Sequence, residues 1–187
     1  MRTKYDKILI IDLEAQCWDK EVPEGFGKDI IEIGLATVNF KTLDIEKHDG
    51  IIVKPEKCQI SSFCKELTSI DQEMIDKNGI HLREACDILI NKFSGKKRAW
   101  GSWGNYDRKH LKLECHKNDI KYPLSENHWN IKSIVVPFFG WNKEIGLKNA
   151  IEKLGMEFDG NHHRGCDDAF NTAKILVEVL KKSRDYM

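Results

Sequence analysis

The segment Asp12-Leu13-Glu14 constrains the fold of this chain most strongly, because it follows directly on an apolar run, Ile8 to Ile11. A continuous apolar run predicts a strand that is buried on both faces and therefore central in a sheet. Residues two apart in a strand point to the same side, so Asp12 and Glu14 place two carboxylates together. Such carboxylates repel each other unless solvent or a divalent cation compensates them. An isolated pair also fits a strand that runs into a charged loop, so the rest of the chain decides between the two interpretations.

Length and charge predict one ordinary globular domain, covering residues 1–187. Basic and acidic residues both number 30, so the formal net charge is zero, and local patches and metal ions would have to hold any nucleic acid. No apolar stretch approaches the length that spans a membrane. The six cysteines contain no CxxC pair, which favours reduced thiols and a cytoplasmic location. His162, His163 and Cys166 are zinc-type ligands, but no partner pair completes a tetrahedral set.

Hydrophobic patterning predicts an α/β order along the chain, led by a hairpin that turns at Thr42-Leu43-Asp44. Loops are expected at residues 15–29 and 55–62. This order predicts a mixed sheet with helices on its faces. The predicted strands cover residues 7–14, 30–40, 44–53 and 98–103, and the predicted helices cover residues 69–77, 82–93, 107–118, 145–154 and 166–182.

Two further acidic positions follow at element boundaries. Asp107 comes just after the fourth predicted strand, where an aspartate often caps a helix. Asp168 lies in the first turn of the last predicted helix, five residues after His163 in a glycine-containing loop. Asp167 or Asp168 could simply stabilise the helix N-terminus, with His163 a solvated loop residue. These separate explanations do not account for the presence of all three patterns in this order in one chain.

Together these residues resemble the three motifs of the DEDDh group of 3′–5′ exonucleases, in the ribonuclease T and DNA polymerase III epsilon-like superfamily. Asp12 and Glu14 match the first motif, Asp107 the second, and His163 with Asp168 the third. The resemblance implies a ribonuclease H-like fold, a mixed five-stranded sheet with helices on both faces. His162 lies beside His163, but the five-residue step to Asp168 selects His163, and Asp167 is then a helix-start residue.

The similarity is greater still to Eri-type exoribonucleases and to the bacterial exonucleases described as sporulation-pathway inhibitors. It covers roughly residues 5–182 and includes three segments outside the motifs. These are Ile30-Ile-Glu-Ile-Gly34, Ser62-Phe-Cys-Lys-Glu-Leu-Thr-Ser-Ile70 and Lys153-Leu-Gly-Met-Glu-Phe-Asp-Gly160.

The acidic residues suit phosphodiester hydrolysis with divalent cations, because hard carboxylate and phosphate oxygens prefer Mg²⁺ or Mn²⁺. Two ions roughly 3.5–4 Å apart can flank the attacking and leaving oxygens. By resemblance, Asp12 contacts both ions, Glu14 and Asp168 hold the ion that orients the water, and Asp107 serves the second. His163 would take the proton from that water, since neutral imidazole is a suitable base near pH 7.

Substrate-binding residues are predicted among aromatic side chains near the motifs, where unpaired bases can stack. Trp18 follows the catalytic strand and Phe63 lies in a segment shared with the Eri-type proteins, so both are candidates. Tyr106 precedes Asp107, and the backbone of Leu13 lies between two ligands. For any single aromatic residue taken alone, core packing is the favoured explanation.

The sequence therefore predicts a metal-dependent 3′–5′ exonuclease that releases nucleoside 5′-monophosphates from single-stranded nucleic acid, with RNA favoured. The alternatives are a proofreading-type DNA exonuclease and a regulatory binding protein that keeps the fold. The complete acidic set argues against a pure binder, which gains nothing from carboxylates that repel each other.

Overall fold

The computed structural model describes residues 3–185, and its centre is a mixed sheet of five strands in the order β3-β2-β1-β4-β5. β1 pairs antiparallel with β2, and β2 pairs antiparallel with β3. β1 pairs in parallel with β4, and β4 with β5. The strands are β1 (Lys4–Ala15), β2 (Ile30–Asn39), β3 (Ile45–Ile52), β4 (Arg98–Ser102) and β5 (His128–Asn130).

Helices cover both faces of this sheet, as the sequence predicts. On one face α5, α6 and α7 enclose a core that includes Ile8 and Ile10. On the other face α3 and α4 pack over Leu9 and Ile11. Successive residues of β1 thus enter opposite cores, which confirms that this strand is central and buried on both sides. The helices are α1 (Ser62–Thr68), α2 (Gln72–Asn78), α3 (Leu82–Asn91), α4 (Tyr106–Lys117), α5 (Ile131–Phe138), α6 (Leu147–Lys153) and α7 (Gly165–Asp185).

The segment after β3 differs from the prediction of a loop at residues 55–62 and one helix at residues 69–77. Two short helices lie there, α1 and α2. The Ser61 side chain caps α1 by accepting a hydrogen bond from the Cys64 N–H, and Ser69 ends that helix in the left-handed conformation with φ 59°. Seven-residue helices carry too few turns for a clear hydrophobic period, so capping residues define them better than periodicity does.

The segment between α4 and α6 contains a strand and a helix that the sequence pattern did not reveal. β5 is only three residues long. α5 contains Pro137 near its end, a residue that argues against a helix when a sequence is read locally. β5 extends the parallel part of the sheet beyond β4, and α5 packs on one face of the sheet. No helix in residues 3–185 combines the length and apolar character needed to cross a membrane.

Candidate active site

Three carboxylates, from residues near the two ends of the chain, meet at the carboxyl end of the central strand β1. Asp12 and Glu14 lie at the end of β1, and Asp168 lies in the first turn of α7. One carboxylate oxygen from each of the three lies within 4.8 Å of the others. Glu14 and Asp168 are buried, while Asp12 is half-buried. The structure thus brings together the first and third predicted motifs, which are separated by more than 150 residues in the sequence.

Asp107 reaches the same end of the sheet because β4 runs parallel to β1 and ends beside it. Its Oδ1 accepts a hydrogen bond from the backbone N–H of Leu13, at 3.1 Å. The N-cap of α4 is Asn105, so Asp107 is not the capping residue that the alternative explanation required. Its buried carboxylate is instead tied to the segment between Asp12 and Glu14.

Two histidines face the carboxylates, whereas the sequence selected only one. The His162 Nδ1 lies 3.1 Å from Asp168 Oδ1, and the backbone N–H of His163 donates to Asp168 Oδ2 at 3.3 Å. The two imidazole rings stack with their centroids 3.9 Å apart. His163 adopts a left-handed backbone conformation, with φ 66°. Asp168 therefore contacts both residues, through the side chain of one and the main chain of the other.

Asp167 has a separate role beside these residues. Its carboxylate pairs with the Lys47 ammonium on β3 and accepts a hydrogen bond from the backbone N–H of Asn161 at 2.8 Å. It lies in the first turn of α7, as predicted, and it ties the loop before that helix to the sheet.

The four predicted acidic ligands and both histidines line an open cleft of about 390 Å³. Leu13 and Tyr106, predicted as substrate contacts, belong to its wall. Trp18 and Phe63 do not: Trp18 packs against Phe26, with ring centroids 6.1 Å apart, and Phe63 is exposed on α1, one turn before the lining residue Leu67. The other lining residues, which the sequence analysis did not select as ligands or substrate contacts, are Ala15, Gln16, Cys17, Lys28, Leu67, Trp103, Gly146, Leu147 and His162.

Some of these residues carried a signal in the sequence and others did not. Leu67 lies within the 62–70 segment that resembles the Eri-type proteins. Lys28 adds a positively charged side chain to the wall of the cleft, and the polar loop that carries it contains no recognisable motif. The Trp103 indole donates to the carbonyl of Ile145 at 3.1 Å and so holds the Gly146 turn against the cleft.

A larger groove of about 760 Å³ lies between the 25–30 loop, the start of α3 and the end of α4. It contains none of the four predicted acidic ligands and neither histidine of the third motif. Its charged lining is mixed, with Lys117 paired to both Asp29 and Glu114. The chemistry is therefore assigned to the smaller cleft.

Burial and mutual repulsion both raise the pKa values of the acidic residues in the cleft. Burial first, and then the charges of Asp107 and Asp168, raise the pKa of Asp12 well above its usual range. Burial and the Asp168 carboxylate likewise raise the pKa of Glu14, to about 9. Burial raises the pKa of Asp107 to about 6, although the Leu13 N–H opposes that shift. In the absence of cations the cluster therefore retains protons that free carboxyl groups would lose.

The pKa of His163, the histidine of the third motif, shifts in the opposite direction. Burial, and then the neighbouring His162, lower the pKa of His163. Its imidazole is consequently neutral near pH 7 and has a nitrogen free to accept a proton.

The donor set fits divalent cations that prefer oxygen ligands. Asp12, Glu14 and Asp168 offer converging carboxylate oxygens, and the repulsion among them is relieved by positive charge. His162, His163 and Asp168 form a second close group of possible ligands. Cys166 is not part of it; its thiol contacts Asp167.

Comparison with known proteins agrees with this arrangement. Residues 9–176 match the exonuclease family RNase_T. The chain is 36% identical to human 3′-5′ exoribonuclease 1 over 95% of its own length, and it spans about half (53%) of that relative. It is 30% identical to the probable 3′-5′ exonuclease KapD of Bacillus subtilis, with 97% of this chain and 88% of that protein covered.

A solved structure shares the fold over almost the whole chain. It is the nuclease domain of 3′hExo, a DEDDh family member, bound to rAMP. The two chains superpose with a TM-score of 0.83 at 32% identity, covering 97% of this chain and 95% of the other. The five-stranded sheet and its helices are therefore those of a DEDDh nuclease.

Proposed function

Because the chain belongs to the exonuclease family RNase_T, we propose that it is a 3′–5′ exonuclease that hydrolyses phosphodiester bonds at the 3′ end of single-stranded nucleic acid. RNA is the favoured substrate and nucleoside 5′-monophosphates are the products. The observation that carries the proposal is the convergence of Asp12, Glu14, Asp107 and Asp168 with a neutral histidine in one open cleft.

Membership of this family implies divalent metal ions, and we propose that two ions, Mg²⁺ or Mn²⁺, bind per site. When bound, such ions neutralise the carboxylates and stabilise the charge that develops on the phosphate oxygens. Asp12 is central in the acidic cluster and is the candidate ligand of both ions. Glu14 and Asp168 would hold one ion, and Asp107 the other.

The protein's own groups orient the reactants and carry the proton. His163 accepts the proton of the attacking water on its ring nitrogen, for which a neutral imidazole at the working pH is required. Asp168 accepts the His163 N–H and so fixes the main chain next to that ring. The hydrogen bond from Leu13 to Asp107 ties the second motif to the first. These contacts hold the base and the acidic residues in one geometry before substrate arrives.

The wall of the cleft offers contacts for one terminal nucleotide. The Tyr106 ring is 54% exposed and stacks on His110 at 5.2 Å, so one of its faces remains available for a base. A volume of about 390 Å³ is at the lower end of ordinary ligand sites. Preference for RNA is supported by two relatives, the 3′hExo nuclease domain bound to rAMP and human 3′-5′ exoribonuclease 1. A single domain and a cytoplasmic location stay predictions, the latter supported by free thiols at all six cysteines.

A labelling experiment tests the proposal. Purified protein is incubated with single-stranded RNA and DNA of equal sequence, labelled at the 5′ end, in Mg²⁺, Mn²⁺ or EDTA. We expect a ladder of shortened 5′-labelled products with either ion, faster for RNA, and none in EDTA. Immediate release of a labelled mononucleotide would indicate degradation from the 5′ end and contradict the proposed polarity. Intact substrate in every lane would favour a binding protein.

A further inference from the structure

Another buried carboxylate, that of Glu32, lies beside the site and has no part in the proposed chemistry. Glu32 is in β2, directly opposite Glu14 in the antiparallel register, and its side chain is fully buried. Its negative charge contributes to the raised pKa of Glu14. A buried charge is costly unless it is paired and hydrogen-bonded, and one that repels a neighbouring carboxylate costs more. Burial raises the pKa of Glu32, and the Arg164 charge and the Gly165 N–H oppose that shift.

Both contacts of Glu32 are to the segment that carries the third motif. Its Oε2 accepts a hydrogen bond from the backbone N–H of Gly165 at 2.8 Å, and its Oε1 lies 3.3 Å from the Nε of Arg164. Gly165 is the first residue of α7, so the carboxylate meets the positive end of that helix. These two partners stand between His163 and Asp168 in the sequence.

The surrounding backbone leaves room for this arrangement. A Cβ atom on Gly50 would lie 1.9 Å from Glu32 Oε1, and one on Gly34 would lie 1.9 Å from the carbonyl carbon of Gly165. Glycine inside a strand weakens it and often marks a close backbone approach. Here it lets the start of α7 rest on β2, with the Glu32 carboxylate between β3 and that helix.

The contacts of Glu32 lie next to His163, whose backbone conformation needs support from its neighbours. A φ of 66° is uncommon for a residue other than glycine and persists only where neighbours enforce it. Glu32 holds the next two residues, and the Arg164 guanidinium also contacts Met74 Sδ on α2 at 3.3 Å. We propose that Glu32 is a positioning residue, which fixes residues 163–168 on the sheet so that His163 and Asp168 face Asp12 and Glu14.

The inference rests on the proposed function for its catalytic consequence, so its test combines activity with a measurement on the protein alone. Glu32→Gln keeps an oxygen for the Gly165 N–H but loses the charge that pairs with Arg164. Glu114→Gln is the matched control, because Glu114 is also a buried glutamate, pairs with Lys117 at 3.6 Å and lies outside the cleft. Melting temperatures establish that each variant is folded.

We expect faster hydrogen–deuterium exchange at residues 160–166 in Glu32→Gln, and no change there in Glu114→Gln. The kcat of Glu32→Gln should fall by about 10- to 100-fold with KM nearly unchanged, as is typical when a supporting contact of the site is lost. In a His163→Ala background the same substitution should cost less, because one of the two residues that it positions is already absent.

Unchanged exchange at residues 160–166 would overturn the inference, as would a kcat of Glu32→Gln equal to that of the wild type. If the wild-type protein cleaves neither RNA nor DNA, the proposed function fails, and the exchange result alone then decides the role of Glu32. Should Glu32→Gln prove unstable, Arg164→Gln, which removes the partner from a less buried position, serves as the second variant with the same expected results.

Discussion

At the scale of single residues, the two neighbouring histidines are the sharpest point to test. His163→Ala should lower kcat by about 10²–10⁴, the usual contribution of a general base, with metal binding nearly retained. His162→Ala removes the contact of its ring with Asp168 and should have a smaller effect. Steady-state kinetics on labelled RNA separates them. A larger loss in His162→Ala would move the general base to that residue.

Protonation of Glu14 makes a second residue-scale prediction, for the metal-free protein. Its pKa is about 9 in the folded state against an ordinary value of 4.5, so between these values the folded chain binds a proton that the unfolded chain lacks. Binding this extra proton becomes less favourable as the pH rises, so the metal-free protein should be less stable at pH 8 than at pH 5. Glu14→Gln should weaken this dependence by about 1 kcal/mol or more.

Thermal melts in EDTA at the two pH values measure this difference. Glu152→Gln, an exposed glutamate on α6, is the control and should leave the pH dependence as it is in the wild type. Stability that rises between pH 5 and pH 8 would contradict the account of the acidic cluster.

At the scale of elements, α4 contributes both a proposed metal ligand, Asp107, and a candidate base-stacking surface. Tyr106→Ala should raise KM for single-stranded RNA by about tenfold, because stacking on one base is worth about 1–3 kcal/mol. Leu113→Ala is the matched control, since Leu113 is similarly exposed on the same helix but does not line the cleft. Equal KM values for the two variants would remove Tyr106 from the substrate site. Trp18 and Phe63 remain predicted substrate contacts, although neither lines the cleft.

Elements with strong local signals were predictable from the sequence, and those defined by distant contacts were not. β1 and α7 carry long apolar patterns, and their predicted positions hold within three residues at each end. β5 exists as a strand because it pairs with β4, and its own three residues carry no pattern. Glu32 follows strand alternation and looks like a solvent-facing residue, yet it faces α7 because that helix packs on the glycine-containing part of β2.

At the scale of the whole molecule, the sequence predicted which acidic residues meet but not how they are held. Asp12 lies near the end of β1 and Asp107 follows β4. Because these two strands are parallel, both residues lie at the same end of the sheet, where α7 brings Asp168. The contacts of Leu13 with Asp107 and of His162 with Asp168 depend on side-chain directions that spacing does not encode.

The shape of the site also predicts the form of the substrate. An open cleft at the edge of a sheet admits one unpaired terminal nucleotide, whereas the bases of a blunt duplex stay stacked and paired. We expect 3′ single-stranded tails to be trimmed faster than blunt duplexes, and a 3′-phosphate to slow the reaction by adding charge beside the acidic cluster. Gel assays on matched substrates measure both effects. Equal rates on the blunt duplex and the single strand would count against this site.

Whether the carboxylate cluster is the active site is decided by the cleavage of 5′-labelled single-stranded RNA by Asp12→Ala, compared with Asp6→Ala on the same strand. Asp6 pairs with Arg98 at the other end of β1, away from the cleft, so its loss should leave cleavage near the wild-type rate. Asp12→Ala should remain folded, with stability in EDTA equal to or above that of the wild type because a repelling charge is gone. We predict no detectable ladder from Asp12→Ala in Mg²⁺ or Mn²⁺. Undiminished turnover in that variant would contradict the claim that this carboxylate cluster is the active site.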